Sequence, residues 1–253
     1  MIGTPIAQAR APYLFNAYFA SRGEDRIMVP LDVSTAALAG FVDMVRDATN
    51  CDGFVSTLPH KRALLGLVDE ASETARALES VNVVRRDQGG RLSGDMADGA
   101  GFWNGAASAG FDPTGNRIVL AGTGAAGTAI AYEFAQRGGA HVALWSRDEG
   151  EVEALAARLA GTGLTVQREM PTSLEDYAMA INATPVGMAN APGTPFPKEL
   201  LSTLPKDAYV ADAITDPLET QLLRDAAALG LRTVDGQAMT LGQFRRLRDT
   251  LGV

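Results

Sequence analysis

Residues 117–147 read RIVLAGTGAAGTAIAYEFAQRGGAHVALWSR, and this stretch decides the fold class of the chain. An apolar strand pattern is followed by a glycine loop, a helix pattern and a second apolar strand pattern. Gly122, Gly124 and Gly127 follow the spacing G-x-G-x-x-G, in which glycine permits a tight turn, close approach of a pyrophosphate and close helix packing. The stretch predicts a βαβ unit whose dinucleotide site is formed by Gly122, Gly124, Ala125, Ala126 and Gly127.

The same alternation of strand and helix patterns continues to the C-terminus. Strand-like runs occupy residues 164–169, 177–185, 208–215 and 231–236. Such alternation is typical of a Rossmann domain with a doubly wound parallel sheet. The preceding residues also mix the two patterns, including a helix that ends at Gly23, a strand at 26–33, a helix that Pro59 opens, and a hairpin that turns at Gly89-Gly90. We therefore expect an α/β chain with an N-terminal α/β domain and a Rossmann domain.

Composition narrows the class of protein. The 253 residues are 46% hydrophobic and 21% charged, with a formal net charge of -8, so neither nucleic acid nor an anionic membrane is an expected partner. A single cysteine, Cys51, excludes an internal disulfide and fits a reducing compartment. The N-terminus has no secretory pattern and no run reaches membrane-spanning length, so we expect a cytoplasmic protein that is a monomer or homodimer.

The end of the second strand of the βαβ unit leaves the choice of dinucleotide open. Arg147 can pair with a 2′-phosphate, whereas Asp148 can accept hydrogen bonds from a 2′-hydroxyl and repels a phosphate. Either residue can also be a solvated loop charge. Arg147 favours NADP, with NAD possible.

A lysine stands at an unusual place in the stretch TLPHKRALL, residues 57–65. Pro59 suits the first turn of a helix, so Lys61 falls at the electropositive end of that helix, where a cation is disfavoured. Lys61 is therefore either a solvated surface charge or a functional group.

A series of motifs along the chain resembles, in order, those of the shikimate dehydrogenase family. The motifs are GTPIAQARAP (3–12), STLPHK (56–61), SVNVV (80–84), GDMADG (94–99), GTGAAG (122–127), NATPVGM (182–188), DAITDPLETQLL (212–223) and DGQAMTLGQ (235–243). The resemblance implies a substrate-binding catalytic domain over residues 1–97, completed by a C-terminal helix over 237–253, and an NAD(P)-binding Rossmann domain over 98–236. Composition alone favours a boundary at the Pro/Gly/Asn-rich residues 111–116.

The resemblance also implies roles for individual residues. It makes Lys61 and Asp98 the catalytic pair, and it places Thr57, Asn82 and Gln243 at the substrate and Asn182, Thr184 and Met188 at the nicotinamide half of the cofactor. Structural alternatives remain: Asp98 can be a helix N-cap, and Asn182 with Thr184 can serve turn chemistry. Thr57 can be an ordinary strand residue, Asn82 can satisfy a hairpin backbone, and Gln243 can lie on a helix surface.

The chain departs from the family pattern where the substrate is held. Two serines that bind the substrate carboxylate in the family are replaced by Ala9 and Ala11, although Arg10 between them can pair with a carboxylate. Further positions expected near the substrate also lack the family's polar groups, namely Val55, Ala97 and Thr215. We therefore expect an NAD(P)-dependent dehydrogenase that transfers a hydride to or from a ring hydroxyl of shikimate or a related cyclic polyol, with weakened carboxylate recognition. The alternatives are a non-catalytic NAD(P) sensor and an enzyme acting on a folate-like carrier.

Overall fold

The computed structural model describes residues 1–7 and 9–253, which fall into two units. The first unit comprises Met1–Ala97 and Phe244–Val253, and the second comprises Asp98–Gln243. Both units combine strands with helices, so the expected α/β class is confirmed. In the described residues, no helix combines the length and the apolar composition needed to cross a bilayer.

The strands of the first unit form two small sheets. The strands are β1 (Ile2–Gly3), β2 (Leu31–Asp32), β3 (Gly53–Val55), β4 (Glu70–Ala71), β5 (Val83–Arg86) and β6 (Leu92–Asp95). Four strands pair in the order β3-β5-β6-β4, and β1 pairs with β2. The expected hairpin is confirmed, because β5 and β6 are antiparallel and Gly90 has φ 84° at the turn between them.

Short helices accompany these sheets. They are α1 (Ala11–Arg22), α2 (Leu38–Asp47), α3 (Lys61–Leu64) and α4 (Glu73–Ala77), with a 3-10 turn at Thr35–Ala37. Helix α1 ends at Gly23, whose φ of 65° is readily accessible only to glycine. Its apolar face buries Phe15 and Phe19 in the core of this unit.

The second unit is built on a sheet whose strands are all parallel. Its elements are α5 (Asp98–Ser108), β7 (Arg117–Ala121), α6 (Ala125–Gln136), β8 (His141–Trp145), α7 (Glu149–Leu159), β9 (Thr165–Gln167), β10 (Met179–Asn182), α8 (Lys198–Leu201), β11 (Tyr209–Asp212), α9 (Gln221–Ala228), β12 (Arg232–Val234) and the first half of α10 (Gly236–Leu251). The strand order β12-β11-β10-β7-β8-β9 is that of a doubly wound dinucleotide-binding fold. The expected Rossmann sheet is thus confirmed.

Two hydrophobic clusters cover this sheet. One contains Phe102, Trp103 and Phe134, and the other contains Phe196 and Leu222. The continuous apolar runs in the sequence follow from this arrangement, because strands with helices on both faces have no polar side. The loops at the carboxyl ends of the strands therefore carry the polar groups.

Several local expectations need correction. Residues 111–116 are the connection between α5 and β7, and the boundary between units falls after Ala97 instead. The strand expected over 26–33 is limited to β2, because Ile27 and Val29 are exposed and only Met28 between them is buried. Helix α10 is divided between the units after Gln243, so the returning segment starts at Phe244, seven residues later than the expected start at 237.

Candidate active site

The glycine loop joins the carboxyl end of β7 to the start of α6. Gly122 has φ 97°, and a methyl group on it would lie 2.7 Å from the carbonyl carbon of Ala183. A methyl group on Gly127 would overlap the carbonyl oxygen of Gly122 and lie 2.9 Å from its carbonyl carbon. Gly124 differs, since apart from the adjoining backbone no atom of the described residues lies within 4 Å of the position that its Cβ would take. Packing therefore requires the first and third glycines, whereas the second leaves open space.

Helix α6 begins beside this open space. Gly124 is its N-cap residue, and no side chain caps the helix. The N–H groups of Ala125 and Ala126 have no partner inside the helix, and they carry the partial positive charge of its N-terminus. Both residues are partly exposed. An open glycine position next to an uncapped helix N-terminus fits the pyrophosphate of a dinucleotide.

Arg147 and Asp148 follow β8 in different surroundings. Asp148 is the N-cap residue of α7, and its carboxylate accepts a hydrogen bond of 3.3 Å from the backbone N–H of Glu151. Arg147 is exposed, and its guanidinium has no hydrogen bond or ion pair with the residues that the structure describes. One oxygen of the Asp148 carboxylate is therefore used to cap α7, while the Arg147 guanidinium is available to a ligand.

Asn182 and Thr184 build the loop that follows β10. The Asn182 amide oxygen accepts hydrogen bonds from the Thr184 backbone N–H at 2.9 Å and from the Thr184 hydroxyl at 2.7 Å. The Asn182 amide nitrogen donates to the carbonyl oxygen of Val186 at 2.9 Å, and the Val186 N–H donates to the Thr184 hydroxyl at 3.1 Å. These side chains provide the turn chemistry that was the structural alternative for them. Met188 is half-buried later in the same loop.

Asp212 is a buried residue near Asn182 to which the comparison of motifs assigned no role. It ends β11 and is 1% exposed. Its carboxylate accepts hydrogen bonds from the Asn182 amide at 3.1 Å, the Ile214 backbone N–H at 3.0 Å and the Thr220 hydroxyl at 2.7 Å. Burial raises the pKa of the Asp212 carboxyl to about 6. Its position at the end of an apolar strand pattern is the feature of the sequence that could have indicated a functional residue.

Asp98 and Gln243 are brought together in the second unit. Asp98 is the first residue of α5 and is 3% exposed, and its carboxylate accepts a hydrogen bond of 2.8 Å from the Gln243 amide. A methyl group on Gly101 would overlap the Cγ of Gln243 and lie 2.9 Å from its Cβ. The small residues of α5 thus let α10 approach closely enough for this hydrogen bond. Gln243 is consequently a partly buried partner of Asp98 and not a plain surface residue.

Lys61 opens a single helical turn in the first unit. Helix α3 starts at Lys61, with His60 as its N-cap residue, so Pro59 lies in the preceding turn and not inside the helix as expected. His60 is fully buried, and its Nε2 donates to the carbonyl oxygen of Val33 at 2.7 Å. The Lys61 carbonyl accepts a hydrogen bond from the Val81 N–H at 2.8 Å. The His60 side chain and the Lys61 carbonyl thus hold this turn through hydrogen bonds, while the side chain of Lys61 is half-buried.

The other two predicted substrate residues also lie in the first unit. Thr57 follows β3 and is partly exposed, with its N–H bonded to the carbonyl oxygen of Ile2 at 2.9 Å. Asn82 is 2% exposed, and its amide oxygen accepts a hydrogen bond of 2.9 Å from the backbone N–H of Ala97. Asn82 therefore holds the residue that directly precedes Asp98 in the chain.

The positions that lack the family's polar groups fall into two sets. Val55 and Ala97 are 4% and 0% exposed and belong to the hydrophobic core of the first unit. Packing in the core explains why both residues are apolar, and their place near the substrate stays a prediction. Ala9 lies just before α1, Ala11 is its first residue, and Thr215 lies beyond β11, all three partly exposed. The role of the two alanines in substrate binding stays a prediction.

Comparison with known proteins agrees with the motifs. A family model described as shikimate dehydrogenase substrate binding domain matches residues 1–84. A shikimate dehydrogenase (NADP(+)) of Rubrobacter xylanophilus is 35% identical over 248 residues, which cover 96% of this chain and 86% of that protein. The chain belongs to the shikimate dehydrogenase family. The predicted class, an NAD(P)-dependent dehydrogenase that acts on a CH–OH group, is confirmed at the level of this family.

Solved structures of relatives span different substrates. The ligand-free 5-ketofructose reductase of Gluconobacter sp. strain CHM43 is 34% identical with a TM-score of 0.90, and the match covers 100% of this chain and 91% of that one. A quinate dehydrogenase of Corynebacterium glutamicum, solved with NAD, is 30% identical with a TM-score of 0.87 and coverage of 100% and 92%. Membership of the shikimate dehydrogenase family therefore leaves both the substrate and the choice between NAD and NADP open.

Proposed function

We propose that this protein transfers a hydride between NAD(P) and a secondary alcohol carbon, with Lys61 and Asp98 as the catalytic residues. The nicotinamide ring, when bound, supplies or accepts the hydride. A hydroxyl group that loses a hydride must also lose its proton, and the amino group of Lys61 is suited to take it or to stabilise the alkoxide. Asp98 is the aspartate that matches the family's catalytic motif, and its bond with Gln243 fixes the carboxylate within the second unit. The match of both residues to the family motifs supports these roles.

The substrate that we propose is an uncharged polyhydroxy ketone and its alcohol, in place of shikimate. The observation that carries this proposal is the pair Ala9 and Ala11 at the start of α1, where the family has carboxylate-binding serines. The similarity to a 5-ketofructose reductase supports it, because 5-ketofructose is a carbonyl compound without a carboxylate.

The size of the effect is large enough to change substrate preference. A hydrogen bond to a charged group contributes roughly 1.5–3 kcal/mol. Loss of two such bonds weakens carboxylate binding by roughly two to four powers of ten. For a neutral ligand the same loss is only about 0.5–1.5 kcal/mol per bond. The two alanines therefore select against an anionic substrate far more than against a neutral one.

NADP is the dinucleotide that we propose for this site. Arg147 is exposed and unoccupied by other described groups, which suits a 2′-phosphate. Asp148 already caps α7 through one carboxylate oxygen, so it is a weaker candidate for the 2′-hydroxyl of NAD.

The test is a comparison of substrates and of matched serine variants. Purified protein is assayed with NADPH against 5-ketofructose and 3-dehydroshikimate, and with NADP against shikimate and quinate. The double variant Ala9→Ser/Ala11→Ser is expected to raise kcat/KM for shikimate by about 100-fold, because it restores two donors. Ala7→Ser is the matched control, since Ala7 is an exposed alanine in the same segment. Lys61→Ala is expected to abolish turnover of every substrate.

Two results would contradict the proposal. If the unaltered protein turns over shikimate as fast as 5-ketofructose, the carboxylate is bound by other groups. If the double serine variant gains no more than Ala7→Ser, positions 9 and 11 do not select the substrate.

A further inference from the structure

Asp212 is an acceptor at the meeting point of three segments. Donors reach it from Asn182 at the end of β10, from the backbone of Ile214 and from Thr220 at the start of α9. An ionised carboxylate has no hydrogen to donate, so it accepts from all three. Because burial raises the pKa of this carboxyl to about 6, the position carries an energetic cost that an apolar residue would avoid.

The carboxylate fixes which way the Asn182 amide points. The amide nitrogen must face Asp212, and it then also donates to the carbonyl oxygen of Val186. The amide oxygen is left to accept from the N–H and the hydroxyl of Thr184. A flipped amide would lose three of these four hydrogen bonds, since only the Thr184 hydroxyl can change from donor to acceptor. Asp212 thus determines the shape of the loop through Asn182.

This loop packs directly on the glycine loop. The N–H of Ala183 donates to the carbonyl oxygen of Ala121 at 2.7 Å. A methyl group on Gly122 would lie 2.7 Å from the carbonyl carbon of Ala183 and 2.8 Å from the nitrogen of Thr184. The two loops are consequently packed so closely that even a methyl group does not fit between them. A shift of the loop after β10 would displace the first glycine of the dinucleotide motif.

We propose that Asp212 is a positioning residue for dinucleotide binding, which acts through Asn182 to hold the loop after β10 against the glycine loop. This inference rests on the dinucleotide-dependent function proposed above. It gives Asp212 a role that differs from the stabilisation of the sheet alone, because its effect is directed at one wall of the cofactor site.

The experiment separates positioning from general stability. The Kd of NADPH is measured by its fluorescence on titration with protein, and the free energy of unfolding by urea. Asp212→Ala is expected to raise the Kd by about 10-fold or more, given the loss of an acceptor for several donors. Asp212→Asn keeps an oxygen toward Asn182 and turns its amide toward the Thr220 hydroxyl, so it is expected to bind within about 3-fold of the unaltered protein. In turnover, Asp212→Ala raises the KM for NADPH and leaves the KM for the second substrate unchanged.

Tyr177→Phe is the matched structural control. Tyr177 is 4% exposed, and its hydroxyl bonds with His141 and Gln167 near the amino end of β10, the opposite end from Asp212. This variant loses stability without a change in the Kd of NADPH. Should Asp212→Ala fail to fold, Asn182→Ala breaks the same link from the other side and carries the same expectation.

The outcomes distinguish this inference from the proposed function. An unaltered protein that binds neither NADPH nor NADH overturns both. Tight binding by the unaltered protein together with an unchanged Kd in Asp212→Ala overturns the positioning role alone. An equal rise in Kd for Tyr177→Phe also overturns it, because the effect would then follow stability.

Discussion

Replacement of Gly124 by alanine should separate dinucleotide binding from folding. Beyond the adjoining backbone, no atom in the part of the chain that the structure describes lies within 4 Å of the new methyl group, and the backbone angles of φ -66° and ψ -171° suit alanine. Alanine lowers the entropy of the unfolded chain, which stabilises the fold by about 0.4–1 kcal/mol. It is a poorer N-cap than glycine by about 0.5–1 kcal/mol. The two effects offset each other, so the free energy of unfolding should change by less than about 1 kcal/mol.

Binding should respond differently, because the methyl group fills the space that a pyrophosphate requires. Loss of one or more hydrogen bonds to a charged phosphate, at roughly 1.5–3 kcal/mol each, predicts a rise in the Kd of NADPH of about 10-fold or more. Gly127→Ala is the matched contrast. Its methyl group would overlap the carbonyl oxygen of Gly122, and backbone atoms cannot yield as a side chain can. Overpacking of this kind costs about 1–3 kcal/mol of folding free energy.

Urea unfolding followed by circular dichroism and NADPH fluorescence titration measure the two quantities on the same samples. A Gly124→Ala protein that binds NADPH as tightly as the unaltered protein would refute the role given to this glycine. A loss of more than about 2 kcal/mol of stability in that variant would contradict the open space seen around it.

Three more predictions concern charge, pH and packing. Arg147→Gln should raise the Kd of NADPH by about 10-fold and leave the Kd of NADH unchanged in fluorescence titration. Asp148→Ala should lower the free energy of unfolding in urea by about 1 kcal/mol and leave the ratio of the two Kd values unchanged. Because burial raises the pKa of Asp212 to about 6, the folded chain holds a proton between about pH 4 and pH 6 that the unfolded chain has released. The stability of the unaltered protein relative to Asp212→Asn should therefore fall as pH rises through that window, by on the order of 2 kcal/mol in urea unfolding. Gly101→Ala should lower the urea midpoint by an amount worth about 1–3 kcal/mol, since its methyl group would overlap the side chain of Gln243; an unchanged midpoint would contradict the close packing of α5 on α10.

The parts of the fold that the sequence predicted share a local cause. Residues 117–147 carry strand periodicity, glycine spacing and helix periodicity in the order that a βαβ unit needs, and the structure has β7, α6 and β8 there. The end of α1 at Gly23 is likewise local, because a positive φ is a property of one residue. Such features need no knowledge of the rest of the chain.

The errors arise where tertiary contacts decide. Residues 26–33 have the β-branched composition of a strand, but only β2 finds a partner, at β1. Lys61 opens one helical turn and not a longer helix, and the turn before it is held by the buried bond of His60 to Val33. Asp212 accepts hydrogen bonds from donors that are up to 30 residues away in the chain. No local pattern could identify those donors.

The positive charge that remains at the start of α1 offsets only part of what the two alanines remove from the binding of a carboxylate. Helix α1 has Arg10 as its N-cap residue and no side-chain cap, and Pro12 in its first turn has no N–H to offer. The partial charge of a helix N-terminus stabilises an anion by about 0.3–1 kcal/mol, and an exposed pair with Arg10 contributes about 0–1 kcal/mol. Together these reach about 2 kcal/mol, whereas two missing hydroxyls remove roughly 3–6 kcal/mol from the binding of a carboxylate. The groups that remain offset only part of that loss, and this difference supports the proposal of a substrate without a negative charge.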